Sequence, residues 1–152
     1  MTALLTIPIR VLPHGQTNPL PKYQTTQSAG MDLHAAIAEE VILQPGQHIL
    51  IPTGISFALP EGYEGQIRSR SGLSVKHGII VLNAPATIDS DHRGEIKVVL
   101  INLGQDPFSI QPGMRIAQLV ISAYIKTSWN LVLTLDSYPT ARDISGFGST
   151  GV

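Results

Sequence analysis

Cysteine is absent from all 152 positions of the sequence. Its absence excludes a disulfide framework, a thiolate metal site and redox chemistry on sulfur. Charge of one sign is also lacking: the formal net charge is -1, so no basic field is available to hold a nucleic-acid backbone. We therefore expect no nucleic-acid partner, and any phosphate group must be bound locally by a few placed donors.

Long apolar runs are missing as well. No stretch approaches the roughly 18 to 20 residues that span a bilayer. The opening residues, MTALLTIPIRVLPHG, lack the basic region and the long apolar region of a secretory signal. These absences predict a cytoplasmic protein without membrane association.

What the sequence does contain is enough apolar material for a core, divided by many turns. Hydrophobic residues make up 43% of the chain, and 14 glycines and 11 prolines separate short apolar stretches. This pattern favours an antiparallel sandwich or barrel. Strands are predicted within 5–11, 55–59, 79–83 and 95–104, and the first should bury one face because apolar and polar residues alternate along it.

One short helix is predicted within Ser71 to His77, with a serine capping its start and Gly78 providing a left-handed stop. From Tyr138 onward the chain is rich in Gly, Ser and Thr, and it cannot fold on its own. The expected fold is therefore an all-β, jelly-roll-like sandwich or distorted barrel at 1–137 with one short helix, followed by a flexible C-terminal arm at 138–152.

Two polar segments could carry chemistry. RSRSGLSVKHG places arginines and serines just before the helix, where backbone N–H groups favour an anion; a helix start with solvated arginines is the alternative. ATIDSDHRGE lies between two apolar strands and is interpreted as a hairpin. Its Asp89 either solvates a turn or accepts a proton from an attacking water. No second histidine accompanies His92 at ligand spacing, so a zinc site is not expected.

Three further segments stand out. In SAGMDL, Asp32 follows a small Ala29-Gly30 pair, which indicates a bulge or a close approach of the backbone; a purely structural use is the alternative. In PGMRIAQLVI, Arg115 and Gln118 stand among apolar neighbours, and Gln118 either satisfies backbone groups or orients a bound molecule. The tail ARDISGFGSTG either stays disordered or folds over a nucleotide by stacking and phosphate hydrogen bonds.

Taken together and in this order, these segments resemble the five motifs of the trimeric dUTPase family. AGMDL resembles the first motif, RSRSGL with KHGI the second, NAPATIDSDHRGE the third, PGMRIAQ the fourth and RDISGFGSTG the fifth. The resemblance runs from about Tyr23 to Gly151. It implies a jelly-roll homotrimer that hydrolyses dUTP to dUMP and pyrophosphate with Mg²⁺, in active sites shared between subunits.

The resemblance also implies a role for each motif residue. Asp89 is expected to hold the deoxyribose 3′-hydroxyl and to activate the water, and Gln118 to position the water or a phosphate oxygen. Asp32 is expected to hold magnesium through water. Phosphates are expected at Arg70, Ser71, Gly72, Gln118, Arg142, Ser149 and Thr150, and the uracil and sugar at Asn83, Ile88, Asp89, His92 and Phe147.

Five positions depart from the family pattern. His92 replaces a tyrosine that packs against deoxyribose, so looser sugar discrimination is expected. Ala86 replaces a glycine, which predicts strain or a shifted turn in the third motif. Ser69 replaces a proline, while Asp143 and Ser145 replace glycines in the arm, where the added negative charge is expected to weaken triphosphate binding modestly.

Two alternatives remain open on the sequence alone. A dCTP deaminase, or a bifunctional dCTP deaminase and dUTPase, is related in fold and acts on similar nucleotides. An inactive nucleotide-binding trimer with a regulatory or assembly role is suggested by His92 and Ala86, although the retained Asp89, Arg70, Ser71 and Gln118 argue against it.

Overall fold

A computed structural model describes residues 4–140 of the chain. Strands dominate them, as expected, and every pairing is antiparallel. The strands are β1 (Ile9–Val11), β2 (Gly30–His34), β3 (Val41–Leu43), β4 (His48–Pro52), β5 (Ile55–Phe57), β6 (Tyr63–Arg68), β7 (Ile79–Val81), β8 (Ala86–Ile88), β9 (Lys97–Asn102), β10 (Phe108–Ile110) and β11 (Arg115–Ala123). A 3-10 turn at Pro13–Gly15 and the helix α1 at Ser71–His77 complete the regular structure.

Two larger sheets enclose the core. One has the strand order β2-β11-β6-β8 and the other β4-β9-β7, while β1-β5 and β10-β3 form two-stranded sheets. Apolar residues of both larger sheets meet in one cluster, to which Leu33, Ile67 and Leu119 contribute from the first and Ile51 and Leu100 from the second. This arrangement confirms the predicted all-β sandwich with jelly-roll character. No helix among the described residues is long and apolar enough to cross a membrane.

The helix has the predicted bounds, but its start differs from the prediction. Gly78 has φ 68°, and its N–H bonds back to the helix, as a left-handed stop requires. At the other end Arg70 is the N-cap residue, and no side chain caps the helix. The expected serine cap is therefore wrong: the Arg70 carbonyl begins the helix by accepting from the N–H groups of Leu73 and Ser74, both at 3.1 Å.

The first strand is shorter and more exposed than predicted. Only Ile9–Val11 pairs, with Ile55–Phe57, and Ile9 and Val11 are both exposed. Ser56 of β5 is buried together with its apolar neighbours Ile55 and Phe57, so both faces of that strand are covered. Of the predicted buried face, Ile7 is half-buried and packs against the core, whereas Leu5, Ile9 and Val11 remain exposed within residues 4–140.

The third motif does not form the predicted hairpin. β8 pairs with β6, and β9 pairs with β4 and β7, so the Asp89 segment connects two different sheets. Ala86 lies in β8, where it is buried and opposite Ile67. The backbone of Ala86 is extended, a conformation that any residue can adopt. The strain that we expected from an alanine in place of glycine is therefore absent.

Asn102 is the polar centre of the fold. It is fully buried, and its Nδ2 donates to the carbonyl oxygens of Leu43 and Asp106, both at 2.9 Å. Its Oδ1 accepts from the Gly104 N–H at 2.8 Å. One side chain thus satisfies three backbone groups, one at the end of β3 and two in the loop after β9.

Asn102→Ala should lower the free energy of unfolding by about 2 to 4 kcal/mol, because buried backbone groups lose their partners. Asn18→Ala is the matched control: the side chain of Asn18 donates to the Ala35 carbonyl at 3.1 Å, and this bond should contribute about 1 kcal/mol. Urea unfolding at one fixed protein concentration measures both values. Equal losses in the two variants would contradict the central role of Asn102.

Candidate active site

Three charged side chains meet beside the end of β6. The Nε of Arg70 donates to Oδ1 of Asp32 at 3.0 Å, and Nη1 of Arg115 approaches Oδ2 of the same carboxylate at 3.4 Å. Nη1 of Arg70 also donates to the Arg115 carbonyl at 3.0 Å. Asp32 therefore holds two guanidinium groups side by side that would otherwise repel each other. We call this group, together with Gln118 and the start of α1, the arginine corner.

A bulge in β11 brings Arg115 and Gln118 to the same face. In a regular strand, residues three apart point to opposite faces. Here the register shifts between Arg115 and Ala117, so that Arg115 lies opposite His34 and Gln118 opposite Asp32. A bulge inserts one extra residue on one strand. Both side chains consequently share the face that carries Asp32.

Gln118 is held from two sides. Its Nε2 donates to the Ser69 carbonyl at 2.9 Å, and its Oε1 lies where a Cβ at position 30 would be. Gly30 is therefore needed at the start of β2 because any larger residue would displace the amide. The predicted close approach at Gly30 is confirmed, and the approaching group is the Gln118 side chain.

His34 lies on the same face, opposite Arg115. Burial lowers its pKa from the ordinary value, and Arg115 and Arg70 act in the same direction while Asp32 opposes them. The shift favours a neutral imidazole. The positive charge of the corner is therefore carried by the two arginines.

The start of α1 leaves donors available. Within residues 4–140, no hydrogen bond engages Nη2 of Arg70 or the side chain of Ser71. Nothing lies within 4 Å of the position a Cβ would take at Gly72. A phosphate could approach the backbone here without meeting a side chain.

The Asp89 segment is braced at both ends. The His92 N–H donates to the Asp89 carbonyl at 3.1 Å, and Nη1 of Arg93 donates to the carbonyls of Ser90 and His92 at 2.6 and 2.8 Å. At the far end, Glu95 accepts from the Gly54 N–H at 3.0 Å and contacts Nε2 of His14 at 2.5 Å. The segment is thus a fixed loop.

An open cleft of about 500 Å³ borders this loop. Asp89 is exposed, and its carboxylate can reach a molecule bound there. The lining residues are Leu59, Glu61, Asp89, Ser90, Asp91, Arg93, Tyr124 and Lys126.

The residues assigned to the nucleoside are spread along β8. Ile88 lies opposite Gly65, and Asn83 is exposed in the turn between β7 and β8. The ring of His92 lies against Gly94, where a Cβ would be 3.0 Å from Cε1 of the imidazole. Asn83 is at the end of β8 nearer to the arginine corner, and Asp89 is at the opposite end.

The arginine corner and Asp89 are separated within one chain. Strand β6 lies between the two groups: Arg68 of β6 is opposite Gln118, and Gly65 of β6 is opposite Ile88. Because β8 runs antiparallel to β6, Asp89 lies one residue beyond Ile88, further from the arginine corner. At about 3.3 Å per residue, the two groups lie about 13 Å apart along β6. Arg142, Phe147, Ser149 and Thr150, like the arm departures Asp143 and Ser145, lie outside the described residues.

No role was assigned from the sequence to three residues that contact site residues or brace the Asp89 segment. Arg115 stood out in the fourth motif but received no role, although it contacts Asp32. Ser69 was noted only as a departure, and Glu95 received no role. The acidic character of Glu95 and the loss of proline at position 69 were the available signals, but their partners are distant in sequence.

Comparisons with known proteins agree with this geometry. The family model described as dUTPase matches residues 16–151. The deoxyuridine 5'-triphosphate nucleotidohydrolase of Wolbachia pipientis subsp. Culex pipiens (strain wPip) is 54% identical over 145 residues, which cover 95% of each chain. The protein of the same name from Orientia tsutsugamushi (strain Boryong) is 58% identical over 133 residues, or 88% of each chain.

Among solved structures, a dUTPase variant from Staphylococcus bacteriophage 80alpha with bound dUpNHpp superposes with a TM-score of 0.85 at 26% identity. The match covers 97% of this chain and 99% of that one. The match of the family model, the two relatives and the shared fold lead to one conclusion: the chain belongs to the dUTPase family.

Proposed function

We propose that the protein hydrolyses dUTP to dUMP and pyrophosphate, which keeps uracil out of DNA and supplies dUMP for dTMP synthesis. The observation that carries this proposal is the arginine corner together with Asp89 in a chain of the dUTPase family. Paired guanidinium groups suit phosphate oxygens, and an exposed carboxylate beside a cleft suits a general base. The relatives give no support to a dCTP deaminase or an inactive trimer.

The proposed reaction is an in-line attack of water on the α-phosphorus. Asp89 takes the proton of the water and holds the 3′-hydroxyl, while Gln118 orients the water or a phosphate oxygen. Arg70, Ser71 and Gly72 bind phosphate oxygens and stabilise the charge that develops on the pyrophosphate leaving group.

The nucleoside is assigned to the third motif. Asn83 and the backbone next to it read the edge of uracil, and Ile88 and His92 border the sugar. The imidazole of His92 is smaller than the ring of tyrosine, so discrimination against the 2′-hydroxyl is looser. From the arm, Phe147 covers the uracil ring, while Arg142, Ser149 and Thr150 add phosphate contacts.

Magnesium fits this chain as an ion carried by the substrate. Among the described residues, no three His, Cys, Asp or Glu side chains form a group that could hold a metal ion, and Asp32 already contacts two arginines. Mg²⁺ usually keeps several waters and binds through substrate phosphates, so Asp32 would reach it through water. When bound, the ion neutralises phosphate charge.

The active site is proposed to form between the subunits of a homotrimer. A base and the group that orients its water must both be within hydrogen-bond reach of one reacting centre, and about 13 Å along β6 is too far for that. Asp89 of one subunit and the arginine corner of another can meet in an assembly. The arm at 138–152 is proposed to close the site from a further subunit.

Exposed apolar residues support an assembly of copies. Ile125, Trp129 and Leu131 are 88%, 96% and 98% exposed. Leu133 and Leu135, further along the same segment, are also exposed. Apolar surface of this extent marks an interaction site.

Asp89→Asn should lower kcat for dUTP at least about 100-fold with little change in KM, because the variant loses its general base but keeps its phosphate donors. The assay is pyrophosphate release with Mg²⁺ from dUTP, dCTP, dTTP and UTP, with ammonia measured for dCTP. Asp91→Asn, an acidic neighbour in the same loop, is the matched control and should stay close to wild type. Wild-type inactivity on dUTP, or ammonia release from dCTP, would overturn the proposal.

Mixing two inactive variants tests the shared site. When Asp89→Asn and Arg70→Ala chains are reassembled together in equal amounts, about a quarter of the sites should combine an intact Asp89 with an intact Arg70. Arg70→Ala mixed with Gln118→Ala is the control, because both changes lie in the same corner and no site becomes intact. If the first mixture shows only the mean activity of its two parents, each site lies within one chain.

A further inference from the structure

Ser69 makes two hydrogen bonds at the junction between β6 and α1. Its carbonyl accepts from Nε2 of Gln118 at 2.9 Å. Its hydroxyl Oγ accepts from the backbone N–H of Val81, also at 2.9 Å. The residue is half-buried. One serine therefore contacts both the arginine corner and the strand that leads into the third motif.

The N–H of Val81 needs an acceptor outside its own sheet. Successive N–H groups of a strand point to opposite edges. The Leu82 N–H donates to the Val99 carbonyl on the β9 side at 2.8 Å, so the Val81 N–H points away from β9. A part-buried backbone donor without a partner is costly, and the Ser69 hydroxyl supplies the partner.

Val81 in turn fixes the turn that carries Asn83. Its carbonyl accepts from the Ala84 N–H at 3.2 Å, and Leu82 and Asn83 lie between the two residues. The end of β7 is thus held on one side by β9 and on the other by Ser69. Loss of the Ser69 hydroxyl would leave the β7 end of the turn attached only to β9, while its other end still continues into β8, which pairs with β6.

We propose that Ser69 is a positioning residue for base recognition. It fixes the Asn83 turn relative to the arginine corner, so the preference for uracil depends on its hydroxyl. This inference rests on the proposed dUTP hydrolysis and on the assignment of Asn83 to the uracil edge. The proline usual in the family at this position has no hydroxyl, so the contact belongs to chains that carry serine here.

Ser69→Ala removes the hydrogen bond to the Val81 N–H but keeps the Ser69 carbonyl that accepts from Gln118. The variant therefore tests the hydroxyl separately from the contact with the arginine corner. KM for dUTP should rise about fivefold, the effect of one hydrogen bond. We expect kcat for dUTP to change less than KM. The ratio of kcat/KM for dUTP over dCTP should fall by a similar factor, because the Asn83 turn is assigned to the edge of uracil and so contributes less to dCTP. Ser69→Thr keeps a hydroxyl and should restore the ratio.

Ser74→Ala is the matched control. The Ser74 hydroxyl donates to the Arg70 carbonyl at 3.0 Å and lies 3.4 Å from the Ile79 carbonyl, so its removal loosens the corner and the start of β7 but keeps the bond between Ser69 and Val81. The dUTP to dCTP ratio should stay at the wild-type value. An equal loss in Ser74→Ala would mean that general loosening causes the effect and would overturn the proposal.

Amide hydrogen exchange at Val81 reports on the bond independently of activity. Exchange should be at least about tenfold faster in Ser69→Ala than in wild type and Ser69→Thr. Unchanged exchange, or faster exchange with a wild-type nucleotide ratio, overturns the inference. Wild-type activity on dUTP tests the proposed function separately. If Ser69→Ala does not fold, Ser69→Cys, whose thiol is a weaker acceptor, must lower the ratio in the same direction.

Discussion

The register of β11 between β2 and β6 is the constraint on which the arginine corner depends. Gln118 lies opposite Asp32 on one side and opposite Arg68 on the other. A shift by one residue would turn every side chain of β11 to the other face, removing Gln118 from Ser69 and Arg115 from Asp32. The buried apolar residues of β11, such as Ala117 and Leu119, hold this register because the same shift would expose them.

Asp32 offsets the repulsion between the guanidinium groups of Arg70 and Arg115. Two guanidinium groups that bind one polyanion must lie close together before it arrives, and their repulsion opposes this arrangement. A carboxylate between them offsets the repulsion and fixes their direction through hydrogen bonds. The corner that we propose to bind phosphate is therefore organised in advance, and less rearrangement is left for the moment of binding.

The sequence predicted the features that depend on local chemistry, and the structure corrected those that depend on distant partners. The end of α1 follows from the glycine stop at Gly78, a local signal, although the serine cap expected at its start was wrong. The partner of β8 is β6, which is distant in the sequence. The predicted hairpin around Asp89 was therefore wrong. The bulge that turns Arg115 toward Asp32 leaves no local signal. The roles of Asp89 and Gln118 came from family resemblance, since each residue alone also fits a structural role.

The contact between Gly30 and Gln118 has a consequence for sequence variation. The Gln118 amide occupies the space of a side chain at position 30, so the two positions form one coupled unit. A larger residue at 30 becomes acceptable only when 118 shrinks or turns away. Gly30 and Gln118 should therefore covary among homologues, because a side chain at position 30 requires a change at 118, whereas a smaller residue at 118 meets no obstacle from Gly30.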